Sequence, residues 1–154
     1  MKGRRTELPC ALAATRRTAR LMTQFYDACL VEVGIEAAQF ALLMALDGAQ
    51  DAGQAGLAQM LGMNKTTLSR NLKLLREKGW VESARGKDAR RREVSLTAEG
   101  KARLREAQPA WRKAGDQLRR GMTEHDWAAM WASLEAMNRA VKKAEERRGR
   151  LAST

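Results

Sequence analysis

Two helical stretches joined by one tight, glycine-containing turn constrain this chain more than any other feature. The first reads QAGLAQMLG (residues 54–62) and the second NKTTLSRNLKLLREKG (residues 64–79), with Gly62, Met63 and Asn64 at the joint. Gly62 can take the positive φ that bends the chain, Asn64 is a good N-cap for the second helix, and Ala58 is small where the two helices would touch. Along the second helix Leu68, Leu72 and Leu75 recur at steps of four and three, which places them on one buried stripe. The pattern predicts a helix-turn-helix.

The other face of the second helix presents Lys65, Thr66, Ser69, Arg70, Lys73 and Arg76, side chains able to hydrogen-bond base edges or phosphates in a DNA major groove. Gly79 is a natural left-handed terminator for it. Beyond it, WVESARGKDARRREVSLT has two β-prone pieces, residues 80–83 and 93–96, around a tip containing Gly86, Lys87, Asp88 and Arg90 to Arg92. This reads as a hairpin with a basic tip. Residues 65–92 hold ten Lys or Arg against three acids, a local net charge of +7 within a total of +11. Any one of these arginines is as well explained as a solvated charge. The cluster fits a phosphate-facing surface, with a tip arginine suited to the narrow, electronegative minor groove.

With those residues in view, the chain resembles the MarR family of bacterial transcriptional regulators. The text that carries the resemblance is LAQMLGMNKTTLSRNLKLLREKGWVES followed by GKDARRREVSLTAEG. In the latter, Asp88, Arg90 and Arg91 stand where the family has D-x-R-R, and Leu96, Thr97 and Gly100 where it has L-T-x-x-G. GIEAAQFALLMAL upstream looks like the helix that leads into the family's DNA-binding unit. The resemblance implies a recognition helix in the major groove contacting DNA through Thr66, Thr67, Ser69, Arg70 and Asn71, flanked by Lys65 and Lys73. It also implies that Arg90 reaches the minor groove from the wing tip beside Lys87 and Arg91, with Asp88 orienting the tip arginines.

Composition sets the outer bounds. A chain of 154 residues with 44% hydrophobic content is one domain by size. No apolar run approaches the roughly 18 residues a membrane span needs; the longest covers residues 40–46. Near the start, Arg16 and Arg17 interrupt any signal-peptide core, and Pro9 before Cys10 with no apolar run upstream makes a poor lipidation site. A cytoplasmic location without membrane partners is expected, with residues 1–7 and 147–154 as basic or polar tails. The single histidine, His125, stands beside Asp126 at a helix start, where a surface or capping role is the common one. Two cysteines and one histidine have no zinc-ligand spacing, and no glycine-rich phosphate loop, nucleophile elbow or paired carboxylates stand out. No enzyme, metal or cofactor is therefore expected.

Outside the DNA-reading unit, amphipathic stripes point to association. Leu8, Leu12, Thr15, Ala19, Met22, Tyr26, Cys29 and Val33 alternate at four and three along a first helix, with Pro9 in its first turn. A second stripe comprises Leu104, Gln108, Trp111, Gly115, Leu118 and Met122, and Pro109 within it is expected to kink or restart the helix. A third comprises Trp127, Met130, Trp131, Leu134, Met137 and Val141, after Thr123 and Asp126 at capping-box spacing. Three such helices have more apolar surface than a small winged domain can cover. The expected arrangement is a mainly α homodimer: residues 8–34 and 98–147 form a helical dimerisation region, and residues 35–97 a winged helix-turn-helix with a small β-hairpin wing. A monomeric bundle would let the same stripes meet within one chain. Two recognition helices suit double-stranded DNA with a palindromic operator.

The signal sensed is less constrained. Cys10 and Cys29 lie on one helix about 28 Å apart at about 1.5 Å per residue, too far for a disulfide. Cys10 is similar in position to the sensing cysteine of the family's peroxide-responsive branch, but Tyr26 is the only tyrosine, so that branch's tyrosine partners are not all present. Arg16 and Arg17 would lower a nearby thiol pKa, contact DNA, or simply be solvated. The family's other mode, release by a small aromatic or phenolic anion, needs apolar walls and a cation. Phe25, Tyr26, Phe40, Met44 and Trp111 could be walls and Arg16 or Arg20 the cation, although such a stripe is more often plain core. The expected function is a sequence-specific regulator, in most cases a repressor. The rival is an architectural protein that binds all DNA alike with a steep salt dependence.

Overall fold

Leu68, Leu72 and Leu75 are all buried, and the first compact unit is built around them. The computed structural model describes residues 10–48, 53–85 and 92–151. Its helices are α1 (Ala11–Leu30), α2 (Ala37–Gly48), α3 (Gly53–Met60), α4 (Lys65–Glu77), α5 (Ala98–Arg120) and α6 (Glu124–Leu151), with a 3-10 turn at Val31–Val33. Two strands, β1 (Val81–Arg85) and β2 (Arg92–Leu96), pair antiparallel from Val81 opposite Leu96 to Arg85 opposite Arg92. The chain divides inside α5 into one unit up to Ala114 and another from Gly115.

The first unit has one apolar core. Phe40, Leu42, Leu43 and Leu46 of α2, Leu57 and Ala58 of α3, Leu68, Leu72 and Leu75 of α4, Trp80 just before β1, and Val81 and Leu96 of the hairpin close on one another. Leu104 and Ala107 bring α5 into the same cluster. A tertiary hydrogen bond starts α2: the Ala37 amide donates to Asp27 Oδ1 on α1 at 2.7 Å, so α1 supplies the cap. No single helix is long and apolar enough to cross a membrane among the described residues. The apolar content of α2 is core.

In the second unit, Thr123 caps α6. Its hydroxyl accepts from the Asp126 amide at 3.0 Å, the half of a capping box that the spacing anticipates, and donates to Asp126 Oδ2 at 2.7 Å, a bond that the carboxylate accepts. Arg119 pairs with Glu124, donates to the Met122 carbonyl and lies over the Trp127 ring, which ties the end of α5 to the start of α6.

Several boundaries differ from the sequence reading. Leu8 and Pro9 lie outside the described residues, and α1 starts at Ala11 with Cys10 in the N-cap position. Val33, expected on the first stripe, falls past the end of α1 in the 3-10 turn. Arg92, expected in the wing tip, is the first residue of β2. Pro109 does not restart the helix: α5 runs through it from Ala98 to Arg120. A proline removes one donor, and buried Leu104, Ala107 and Ala114 on either side hold the neighbouring turns by packing.

One close approach holds the hairpin to α5. A Cβ on Gly100 would sit 1.9 Å from the Trp80 carbonyl oxygen and 2.9 Å from its carbon, so only glycine lets α5 come this near. We expect Gly100→Ala to cost roughly 1–3 kcal/mol, read as a lower midpoint in urea unfolding; an unchanged midpoint would mean that the backbone yields there freely.

Candidate nucleic-acid interface

The polar helix α4 owes its placement to a terminator on each side. Gly62 (φ 61°) ends α3 with paired returns, Met63 N–H to the Ala58 carbonyl at 2.8 Å and Gly62 N–H to the Gln59 carbonyl at 3.2 Å. Gly79 (φ 75°) ends α4 in the same way, with Trp80 N–H to Leu75 at 3.0 Å and Gly79 N–H to Arg76 at 2.9 Å. Both are Schellman turns, in which a left-handed residue lets two orphan carbonyls be satisfied at once. Between them Asn64 caps α4, its Oδ1 accepting from the Thr67 amide at 2.8 Å. The joint therefore takes the conformation that its residue types favour.

With Leu68, Leu72 and Leu75 buried, α4 turns Lys65, Thr66, Thr67, Ser69, Arg70 and Lys73 to solvent, together with Leu74. The six polar side chains share one exposed, cationic surface that can donate to phosphates and base edges. Lys73 also pairs with Glu77 at 3.7 Å, an exposed i,i+4 contact of small energy. Two polar residues of the helix are engaged within the protein. Asn71 is half-buried and its Nδ2 donates to Met63 Sδ at 3.7 Å. Arg76, which helical spacing puts on the outer face, donates from a guanidinium nitrogen to Ser83 Oγ on β1 at 3.0 Å. That bond links α4 to the hairpin, and helical periodicity carries no trace of it, because Ser83 lies beyond the turn. The wing-tip residues Lys87, Asp88, Arg90 and Arg91 lie outside the described residues.

The residues considered for sensing sit on α1, α2 and α5. Phe40 is buried and stacks on Trp111 with centroids 4.4 Å apart and planes at 24°. Tyr26 lies against the same Trp111 at 4.4 Å, and Phe25 meets Tyr26 edge-on at 5.6 Å. These four aromatics pack on one another and join α1 and α2 to α5. Met44, Arg16 and Arg20 are exposed, and so is Cys10, while Cys29 is half-buried.

A family model described as MarR family matches residues 33–92, which takes in α2, the helix-turn-helix and β1 and ends at the first residue of β2. The structure of the M. tuberculosis transcriptional regulator MosR in complex with DNA matches with a TM-score of 0.78 and 32% identity, over 88% of this chain and 98% of that one. The chain belongs to the MarR family. The same fold recurs in the S. aureus MepR–DNA complex, at a TM-score of 0.74 and 23% identity over 85% of this chain and 98% of that chain. An uncharacterized HTH-type transcriptional regulator of Bacillus subtilis (strain 168), YwoH, is 26% identical over 110 residues, 71% of this MarR-family chain and 80% of that protein.

Burial pushes the Tyr26 phenol above its ordinary range, and the neighbouring Cys29 adds to the rise. The folded state thus holds the proton more tightly than the unfolded chain. Its contribution to stability is present in full below the unfolded value of about 10 and is lost as pH rises through the folded value. Because Tyr26 is the only tyrosine, ultraviolet titration of the phenolate band reports it alone. We expect a midpoint above that of free tyrosine; an ordinary midpoint would place the hydroxyl in water.

Proposed function

We propose that this chain is a sequence-specific DNA-binding transcriptional regulator that acts as a homodimer and represses by covering a promoter. The observation that carries the proposal is the exposed polar and cationic face of α4, set between two left-handed terminators and followed by a hairpin, in a chain 32% identical to a regulator solved on DNA. On this reading α4 enters the major groove with Thr66, Thr67, Ser69 and Arg70 toward the bases and Lys65 and Lys73 toward phosphates. Asn71 would have to leave Met63 to join them. Arg90 reaches the minor groove from the wing tip, flanked by Lys87, Asp88 and Arg91.

Dimerisation through residues 8–34 and 98–147, with residues 35–97 reading DNA, is supported by apolar side chains left in water. On α6, Trp131, Leu134, Met137 and Val141 are 41–56% exposed, and Leu12, Leu21 and Met22 on α1 are exposed as well. A second copy would cover such stripes and would supply the second reading helix for a palindromic site. The protein would work in the cytoplasm on double-stranded DNA. The release signal proposed is a small aromatic or phenolic anion, with exposed Arg16 and Arg20 open to its charge, or an oxidant, to which exposed Cys10 offers a thiol.

The decisive experiment is fluorescence anisotropy on the DNA upstream of the chain's own coding sequence and on a scrambled duplex, at one fixed near-physiological salt. We expect a preference on the order of several hundredfold or more, and Arg90→Ala to lose affinity in the same titration while remaining dimeric. Equal binding to both duplexes, and to sites recovered by selection, would leave an architectural DNA-binding protein instead. Separately, Leu134→Glu with Met137→Glu should give a monomer in sedimentation velocity; a persisting dimer would remove α6 from the interface.

A further inference from the structure

The hydroxyl of Thr97 occupies a place that helix capping alone does not explain. As the residue before α5 it accepts from the Gly100 amide at 3.0 Å, an ordinary N-cap. The same oxygen donates at 2.7 Å to the carbonyl of Gly79, the residue that terminates α4. The Thr97 amide adds a bond to the Trp80 carbonyl at 3.1 Å, beside the contact that Gly100 makes possible. The Trp80 ring is itself met by two cations, Lys78 at 4.8 Å and Arg103 of α5 at 5.4 Å from its centroid. One oxygen atom thus lies between the exit of the reading helix and the first turn of α5, and the backbones around it have no room to slide.

We propose that Thr97 is a positioning residue for DNA recognition: its hydroxyl sets the angle between the end of α4 and the start of α5 and so aims the reading face. This rests on the regulator reading above. The geometry makes the effect large, because α4 has 13 residues. At about 1.5 Å per residue it is roughly 20 Å long, so a tilt of about 5° at its exit displaces its other end by roughly 1.7 Å. The N-terminal part of a recognition helix is the part that reads base edges, and a hydrogen bond to a base does not survive that displacement.

The test separates aiming from capping with variants on the upstream duplex, assayed below their unfolding midpoints. Thr97→Val keeps the shape and removes the hydroxyl; it should remain a dimer and bind roughly tenfold more weakly, while Thr97→Ser should bind as the wild type does. Thr97→Asp keeps an acceptor for the Gly100 amide but has no proton for Gly79. It is compared with Ala98→Asp, which carries the same charge one residue along with the Thr97 hydroxyl intact. We expect Thr97→Asp to bind roughly tenfold more weakly than Ala98→Asp. This pair decides the matter if Thr97→Val does not fold. Equal affinity of Thr97→Asp and Ala98→Asp, or wild-type affinity in a folded Thr97→Val, would reduce Thr97 to a cap and overturn the inference alone. No preference of the wild type for any duplex over its scramble would overturn the regulator reading and this inference with it.

Discussion

The approach of Gly100 to the Trp80 carbonyl is the constraint on which the first unit turns. Four segments meet there: the end of α4, the start of β1, the end of β2 and the first turn of α5. A side chain of any size at Gly100 would force these backbones apart, so the hairpin, α4 and α5 share one clearance. The buried leucines of α4 supply the apolar area that holds the helix down. The seam at Trp80 decides where it points.

The local parts of this arrangement are legible in the sequence because their causes are local. Gly62, Asn64 and Gly79 act within a few residues of themselves, and their residue types state what the backbone does there. The leucine stripe follows from helical spacing alone, and so does the cap at Thr123 and Asp126. Membership of the MarR family was likewise legible, from the helix-turn-helix text in register with the wing text.

What spacing does not carry is any bond whose partner is set by the tertiary fold. Asp27 starts α2 from ten residues upstream, and no capping pattern links the two positions. Arg76 reads as an outward cation until the hairpin folds back and brings Ser83 within its reach. Nothing in the helical spacing links Asn71 to Met63, which the turn places beside it. Pro109 reads as a kink or a restart because local propensity penalises a lost donor, whereas the helix continues through it between turns held by buried side chains. In each case a non-local interaction outweighs a local preference, and a single sequence carries only the latter in readable form.

The bonds from Asn71 to Met63 and from Arg76 to Ser83 bear on how DNA preference could be exchanged among relatives of this fold. Two polar side chains of α4 are held from outside the helix, one by the turn before it and one by the strand after it. The transferable module is therefore not the thirteen-residue helix but the stretch from Met63 through Ser83. A graft of α4 alone would strip Asn71 and Arg76 of the partners that engage them here, and the new host would carry the same thirteen residues with two side chains differently disposed.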